Sequence, residues 1–167
     1  YQYTIMNRPT PSPLARRTAL LVRRPLAVSR MRRAAHHFLG EHDFMTFAGP
    51  LTKEDTPTVR RIEGSSVSRI GDAVRFEVTG SSFLNRQVRL MAGALLEVGL
   101  GQSCPNDVRI MLDRPGRRAQ RPGPRCLPAH GLCLVKVTYG HGAFNSRPLS
   151  KNGYSDKMET WKAEVRA

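Results

Sequence analysis

Residues 82–91 read Ser-Phe-Leu-Asn-Arg-Gln-Val-Arg-Leu-Met and place two arginines, Arg86 and Arg89, inside an otherwise apolar segment. Four apolar side chains share the i, i+4, i+7, i+11 spacing of one helical face: Leu84, Val88, Met91 and Leu95. On that helix Arg89 falls at the edge of the apolar stripe and Arg86 nearly opposite it. Arginine stays charged at ordinary pH, so one at a core edge normally has a carboxylate or phosphate partner. A structural salt bridge, a side chain reaching to solvent and a functional anion site are the alternatives.

The segment that precedes this helix has the pattern of a β-hairpin. Val74, Phe76 and Val78 alternate with polar residues, which is the period-two signature of a half-buried strand. Residues 58–70 carry valines and isoleucines among polar residues, and Gly71 with the aspartate after it marks a turn between the two runs. The sequence therefore predicts a hairpin that leads directly into the helix of Arg89.

The remaining pattern completes an α+β fold, with a largely antiparallel sheet backed by helices on one face. An amphipathic helix is predicted with Ser29 as its N-cap and Gly40 at its C-cap. Further predicted elements are strands at 1–5, 18–22 and 132–139, and a helix at 103–112. We expect one domain over residues 1–140 and a mobile basic tail over 141–167.

The composition is strongly basic. Lysine and arginine number 27 against 13 acidic residues, 22 of the basic residues are arginine, and the formal net charge is +14. Such a charge favours a polyanionic partner, because each neutralised phosphate releases counterions and arginine binds phosphate with a planar fork. A solvated surface, a membrane-facing patch and a generally basic mitochondrial protein are the alternatives.

Much of this charge is concentrated in residues 114–125, where proline and glycine exclude a helix or a sheet interior. We expect a flexible, exposed loop that contacts RNA phosphates, with a solvated loop as the alternative. Its five arginines are Arg114, Arg117, Arg118, Arg121 and Arg125.

Other residue types indicate neither a metal nor a membrane. The three cysteines lack Cys-x-x-Cys spacing, which favours reduced intracellular thiols over a zinc site. His36, His37 and His42 have no cysteine or carboxylate partner at ligand spacing, so we interpret them as solvated or capping residues. No run of 18 apolar residues predicts a membrane span.

Four segments, in the right order, resemble the carboxy-terminal half of the TruA-type tRNA pseudouridine synthases. The first, around Arg89, comprises Phe83, Leu84, Val88, Arg89, Met91, Gly93, Leu95, Val98 and Gly99. The others are Tyr1-x-Tyr3-x-Ile5-x-Asn7, Ala34-Ala35-x-x-Phe38-Leu39-Gly40-x-His42-Asp43-Phe44-x-Thr46-Phe47, and Gly131-Leu132-Cys133-Leu134-Val135-x-Val137-x-Tyr139.

The resemblance implies an isomerase of tRNA processing that converts uridine in tRNA to pseudouridine, with no cofactor and no metal. It implies that Arg89 pairs with the catalytic aspartate and that Tyr1 packs on the target base. Phe83, Leu84 and Leu132 would line the base pocket, with ordinary core packing as the alternative. Arg86 is predicted to contact RNA.

The aspartate motif of this family, Arg-Thr-Asp-x-Gly-Val-His-Ala, is absent from these residues. We therefore expect a fragment that is inactive by itself, and the alternative function is a noncatalytic RNA-binding module. Asp43 is the tempting substitute nucleophile, but the resemblance places it in a structural turn. Gln87 stands where most family members have methionine, which indicates the eukaryotic, often mitochondrial, branch. The resemblance also implies a homodimer.

Overall fold

The computed structural model describes residues 1–50, 56–113 and 123–138. Six strands form one sheet in the order β2-β1-β5-β4-β3, with β6 also paired to β1. The strands are β1 (Gln2–Asn7), β2 (Leu20–Val22), β3 (Gly40–Asp43), β4 (Val59–Ile70), β5 (Ala73–Gly80) and β6 (Leu132–Cys133). The helices are α1 (Val28–His36), α2 (Gln87–Gly99) and α3 (Pro105–Asp113). The predicted α+β class is confirmed.

The β4–β5 hairpin forms as the alternation predicts. Val74, Phe76 and Val78 are buried, while the residues between them face outward. The strands pair antiparallel, and the turn contains Gly71 at a φ of 56°, a conformation that glycine adopts without steric cost. The hairpin supplies the centre of the sheet.

Strand β1 lies beside β5, and its other edge is divided between two partners. Its first residues pair antiparallel with β6 and its last three pair in parallel with β2. Within the described residues 132–138, only Leu132 and Cys133 pair with another strand, so β6 is shorter than the predicted strand over 132–139. Leu134, Val135 and Val137 are exposed.

All three helices contribute to the core, which is rich in aromatic side chains. Phe38 packs edge-on against Phe47 at a centroid distance of 5.3 Å and also contacts Phe44 and Phe76. These rings are fully buried between the sheet and the helix layer. Each buried phenylalanine contributes about 1.5–3 kcal/mol. The site described below lies at one end of this core.

Two helix boundaries differ from the prediction. α1 begins at Val28 with Ala27 as its N-cap, because Ala27 N–H donates to the Gly99 carbonyl and thereby sets the entry of the chain. Ser29 is therefore not the cap. Gly40 is not the C-cap either, since it begins β3 with a φ of 100° and the helix ends at His36.

Helix α3 begins at Pro105, as the sequence predicts for a proline in the first turn. α2 begins only at Gln87, so the segment before it is not helical although Leu84 fits the apolar spacing. The described helices include none long and apolar enough to cross a bilayer.

Residues 1–136 form one compact unit, and residues 137–167 are assigned to a second. Of the second unit only Val137 and Thr138 are described. The predicted tail over 141–167 lies outside the described residues. The domain boundary at residue 140 stays a prediction.

Candidate functional site

Arg89 lies in the first turn of α2 and is half-buried. Its Nε donates a hydrogen bond to the carbonyl of Leu127 at 2.5 Å. The Leu127 N–H in turn donates to the Arg89 carbonyl at 3.3 Å. The guanidinium is thus held by main-chain atoms on the segment before β6, which restricts its orientation.

The structural salt bridge is not found within the described residues. The ion pairs there are Arg8 with Asp72 and Arg109 with Asp113, and neither includes Arg89. Since Nε of Arg89 is occupied, its two terminal amino groups remain without a hydrogen-bond partner in the described part of the chain. That end of the guanidinium fits two parallel hydrogen bonds to a carboxylate or phosphate.

Gly93 allows the segment that contains Leu127 to lie close to α2. A Cβ at Gly93 on α2 would lie 1.8 Å from the carbonyl oxygen of Arg125, so only glycine admits the segment so close to the helix. The Arg125 N–H also donates to Glu97 Oε1 at 3.3 Å. These contacts tie residues 123–127 to α2, and the Arg89 hydrogen bond depends on them.

Tyr3 fixes the same segment from the sheet side. Its hydroxyl donates to the Pro128 carbonyl at 2.8 Å, and its side chain is fully buried. Burial raises the pKa of Tyr3 to about 12, although the positive charge of Arg89 opposes the shift. The Tyr-x-Tyr segment by itself indicates no role for Tyr3, because hydrogen bonding to a distant carbonyl has no local signal in the sequence.

This pKa predicts a loss of stability at high pH. The unfolded phenol releases its proton near pH 10, whereas the folded phenol holds it to about 12. Between these values the unfolded state binds fewer protons, so the free energy of unfolding falls as pH rises. We expect the loss to reach about 2–3 kcal/mol. Denaturant unfolding of wild type and Tyr3→Phe at about pH 9 and pH 12 tests this. An equal decline in both proteins would contradict it.

Tyr1 and Phe83 form an aromatic pair at the start of β1 and before α2. Their ring centroids lie 5.1 Å apart at an interplanar angle of 84°. Both side chains are half-buried against the core, as is Leu132 on β6. Leu84 is buried at 7 % exposure and packs in the core. The predicted contacts of these residues with a base stay predictions.

An unusual turn joins Phe83 to Arg89. Arg86 has a φ of 61° and is the only non-glycine residue with a positive φ among the described residues. The buried Gln87 side chain accepts a hydrogen bond from the Leu84 N–H at 2.7 Å, while its Nε2 has no hydrogen-bond partner among the described residues. No structural role is predicted for Gln87 in the sequence analysis, although a polar residue beside an apolar stripe is a signal for one.

The remaining residues that the sequence analysis considers for the site are five further arginines from residues 114–125, Arg86 and Asp43. The side chains of Arg86 and Arg125 are exposed. Arg114, Arg117, Arg118 and Arg121 lie outside the described residues. The carboxylate of Asp43 accepts a hydrogen bond from the Met45 N–H at 2.9 Å, which confirms its interpretation as a turn residue.

Fold and site together define a basic α+β domain with a main-chain-anchored arginine in the first turn of α2 and an aromatic pair between Tyr1 and Phe83. The family model described as tRNA pseudouridine synthase matches residues 34–140. The chain belongs to this family.

Curated relatives agree with the family match. The tRNA pseudouridine synthase A of Pelobacter propionicus is 42% identical over 139 residues, which cover 83% of this chain and 55% of that protein. Its Thermus thermophilus counterpart is 43% identical over 144 residues, covering 83% and 54%. The Caulobacter vibrioides protein of the same name is 37% identical over 140 residues, covering 84% and 55%. The chain spans about half the length of the curated relatives it matches.

Proposed function

We propose that this chain supplies the arginine half of the active site of a tRNA pseudouridine synthase, an isomerase that converts uridine in tRNA to pseudouridine. The observation that carries the proposal is the Arg89 guanidinium, anchored through Nε to Leu127 with its terminal amino groups unpaired among the described residues. Family membership and relatives named tRNA pseudouridine synthase A support the same reading.

The reaction breaks the bond between uracil nitrogen and C1′ of the ribose, turns the base, and joins a ring carbon to C1′; that carbon loses its proton and the detached nitrogen gains one. A carboxylate is needed at the sugar or base, and it must be ionised to act. Arg89 would pair with that carboxylate through its free end, lower its pKa and orient it. The carboxylate comes from a segment outside the described residues in this proposal.

The aromatic pair of this domain suits an extruded base. Tyr1 and Phe83 offer rigid aromatic planes, and base-modifying enzymes take their target out of the stack and hold it against such side chains. The exposed Arg86 and Arg125 would contact phosphates, as would the arginines of the 114–122 segment. The scheme includes no redox cofactor and no metal.

Reconstitution tests the proposal. The chain is incubated with uridine-containing tRNA, alone and with the part of the Pelobacter propionicus relative that the match does not cover, and pseudouridine is mapped chemically. We expect conversion only in the combined sample. Failure of the pair, with intact folding and tRNA binding, would favour the noncatalytic RNA-binding module. Conversion by the chain alone that disappears in Asp43→Asn would make Asp43 the nucleophile.

Two narrower properties accompany the proposal. Homodimerisation and a mitochondrial location follow from the resemblance of the sequence to the family and its eukaryotic branch. Sedimentation of the purified chain and microscopy of a tagged copy test them.

A further inference from the structure

A second basic surface lies between α1 and the beginning of α3, and we term it the α1–α3 cleft. It is an open cleft of about 890 Å³. Five basic side chains of α1 and the residue after it line this cleft: Arg30, Arg32, Arg33, His36 and His37.

The positive charge of the cleft is not neutralised by ion pairs in the described part of the chain. Arg30 donates to the carbonyl of Ser103 at 3.3 Å, and Arg32 Nε donates to the carbonyl of Val67 at 2.9 Å. Arg33 is exposed. None of these three arginines takes part in the salt bridges of the described residues. Carbonyl groups therefore orient two guanidinium groups while their charge remains available to an anion.

The titratable neighbours agree with a positive local potential. The pKa of His37 is lowered by burial and by the positive charges of Arg109 and His36, against the opposing effect of Asp113. The carboxylate of Asp107 accepts a hydrogen bond at 2.8 Å from the N–H of Cys104, the residue before α3. The arginines thus dominate the charge of the cleft at neutral pH.

The cleft is separate from the Arg89 site. Arg30 contacts Ser103, which follows the end of α2, whereas Arg89 lies in the first turn of that helix. Ten residues separate Arg89 from Gly99, which corresponds to about 15 Å along the helix axis. An anion in the cleft is consequently a different group from one bound at Arg89.

We propose that the α1–α3 cleft binds the phosphate backbone of RNA, as a second contact with the tRNA that the proposed function assigns to the Arg89 site. Arg30, Arg33 and His37 follow i, i+3, i+7 spacing along α1, so their side chains form a row. An open row of donors matches a chain of phosphates better than a single small anion. A membrane surface fits less well, because the apolar residues Met31 and Ala34 of α1 are buried in the core.

Binding of labelled tRNA to the 167-residue chain, followed by fluorescence anisotropy from about 50 to 200 mM salt, tests the proposal. We expect Arg30→Gln/Arg33→Gln to weaken binding about tenfold and to lower the salt slope by about two units. The matched control is Arg16→Gln/Arg17→Gln, which removes the same charge from exposed positions before β2. It should weaken binding less than about threefold. If the double variant unfolds, Arg33→Gln alone should lower the slope by about one unit.

Equal effects of the two pairs would overturn the proposal, because net charge alone would then explain them. Unchanged tRNA affinity with lost binding to anionic phospholipid vesicles would also overturn it and favour a membrane. In the reconstituted enzyme, the cleft variants should raise KM for tRNA and leave kcat unchanged. If the cleft variants show a normal KM and normal conversion, the proposal for the cleft is wrong and the proposed function is unaffected. If tRNA binding depends on the cleft but the wild-type pair converts no uridine, the proposal that the cleft binds RNA is supported and the proposed function is wrong.

Discussion

We expect Arg89→Ala to abolish pseudouridine formation in the proposed reconstituted enzyme, with a loss of about 1000-fold in kcat. The substitution removes both the positive charge and the hydrogen bond to Leu127. The paired carboxylate would lose the interaction that keeps it ionised and oriented. Single-turnover assays with saturating tRNA measure the loss independently of RNA affinity.

Arg89→Lys distinguishes geometry from charge. An ammonium group is a point charge that cannot hold the Leu127 carbonyl and also make two parallel hydrogen bonds to a carboxylate. We expect lysine to recover no more than about a tenth of wild-type activity. Arg23→Ala, at an exposed position, is the control for loss of one charge and should stay within about twofold of wild type. Full activity in either Arg89 variant would remove Arg89 from the proposed mechanism.

Gly93→Ala should destabilise the domain by about 3 kcal/mol, which corresponds to a fall in Tm of about 10 °C. The added Cβ would lie 1.8 Å from the Arg125 carbonyl oxygen, an overlap with main-chain atoms that no rotamer change relieves. Residues 123–127 would have to move away from α2. Because Leu127 belongs to this segment, activity in the reconstituted enzyme should fall as well.

Gly123→Ala is the matched control in the same segment. A Cβ at Gly123 would meet no atom within 4 Å, so its Tm should change little. Thermal unfolding followed by circular dichroism measures both variants. A Gly93→Ala protein as stable as wild type would mean that the segment tolerates displacement, and the close packing would then have no role in holding Leu127.

The hairpin and the helix layer were predictable because their signals are local. Val74, Phe76 and Val78 show the alternation of a half-buried strand, and Met31 with Ala34 shows the spacing of a buried helical face. Strand ends were less predictable. β6 pairs with β1 through Leu132 and Cys133, and no local pattern within residues 132–138 marks that extent.

For the site, the sequence alone identified Arg89 as an arginine at a core edge that requires a partner, and it showed which family the motif resembles. Arginine at the edge of an apolar stripe is informative by itself, since its charge cannot be removed and requires a partner. Tertiary structure alone decided what holds Arg89. The Leu127 carbonyl, the Pro128 carbonyl that accepts from Tyr3, and the closeness allowed by Gly93 join residues up to 125 positions apart. Main-chain carbonyls occur at every residue, so only the folded path of the chain selects the ones that bind.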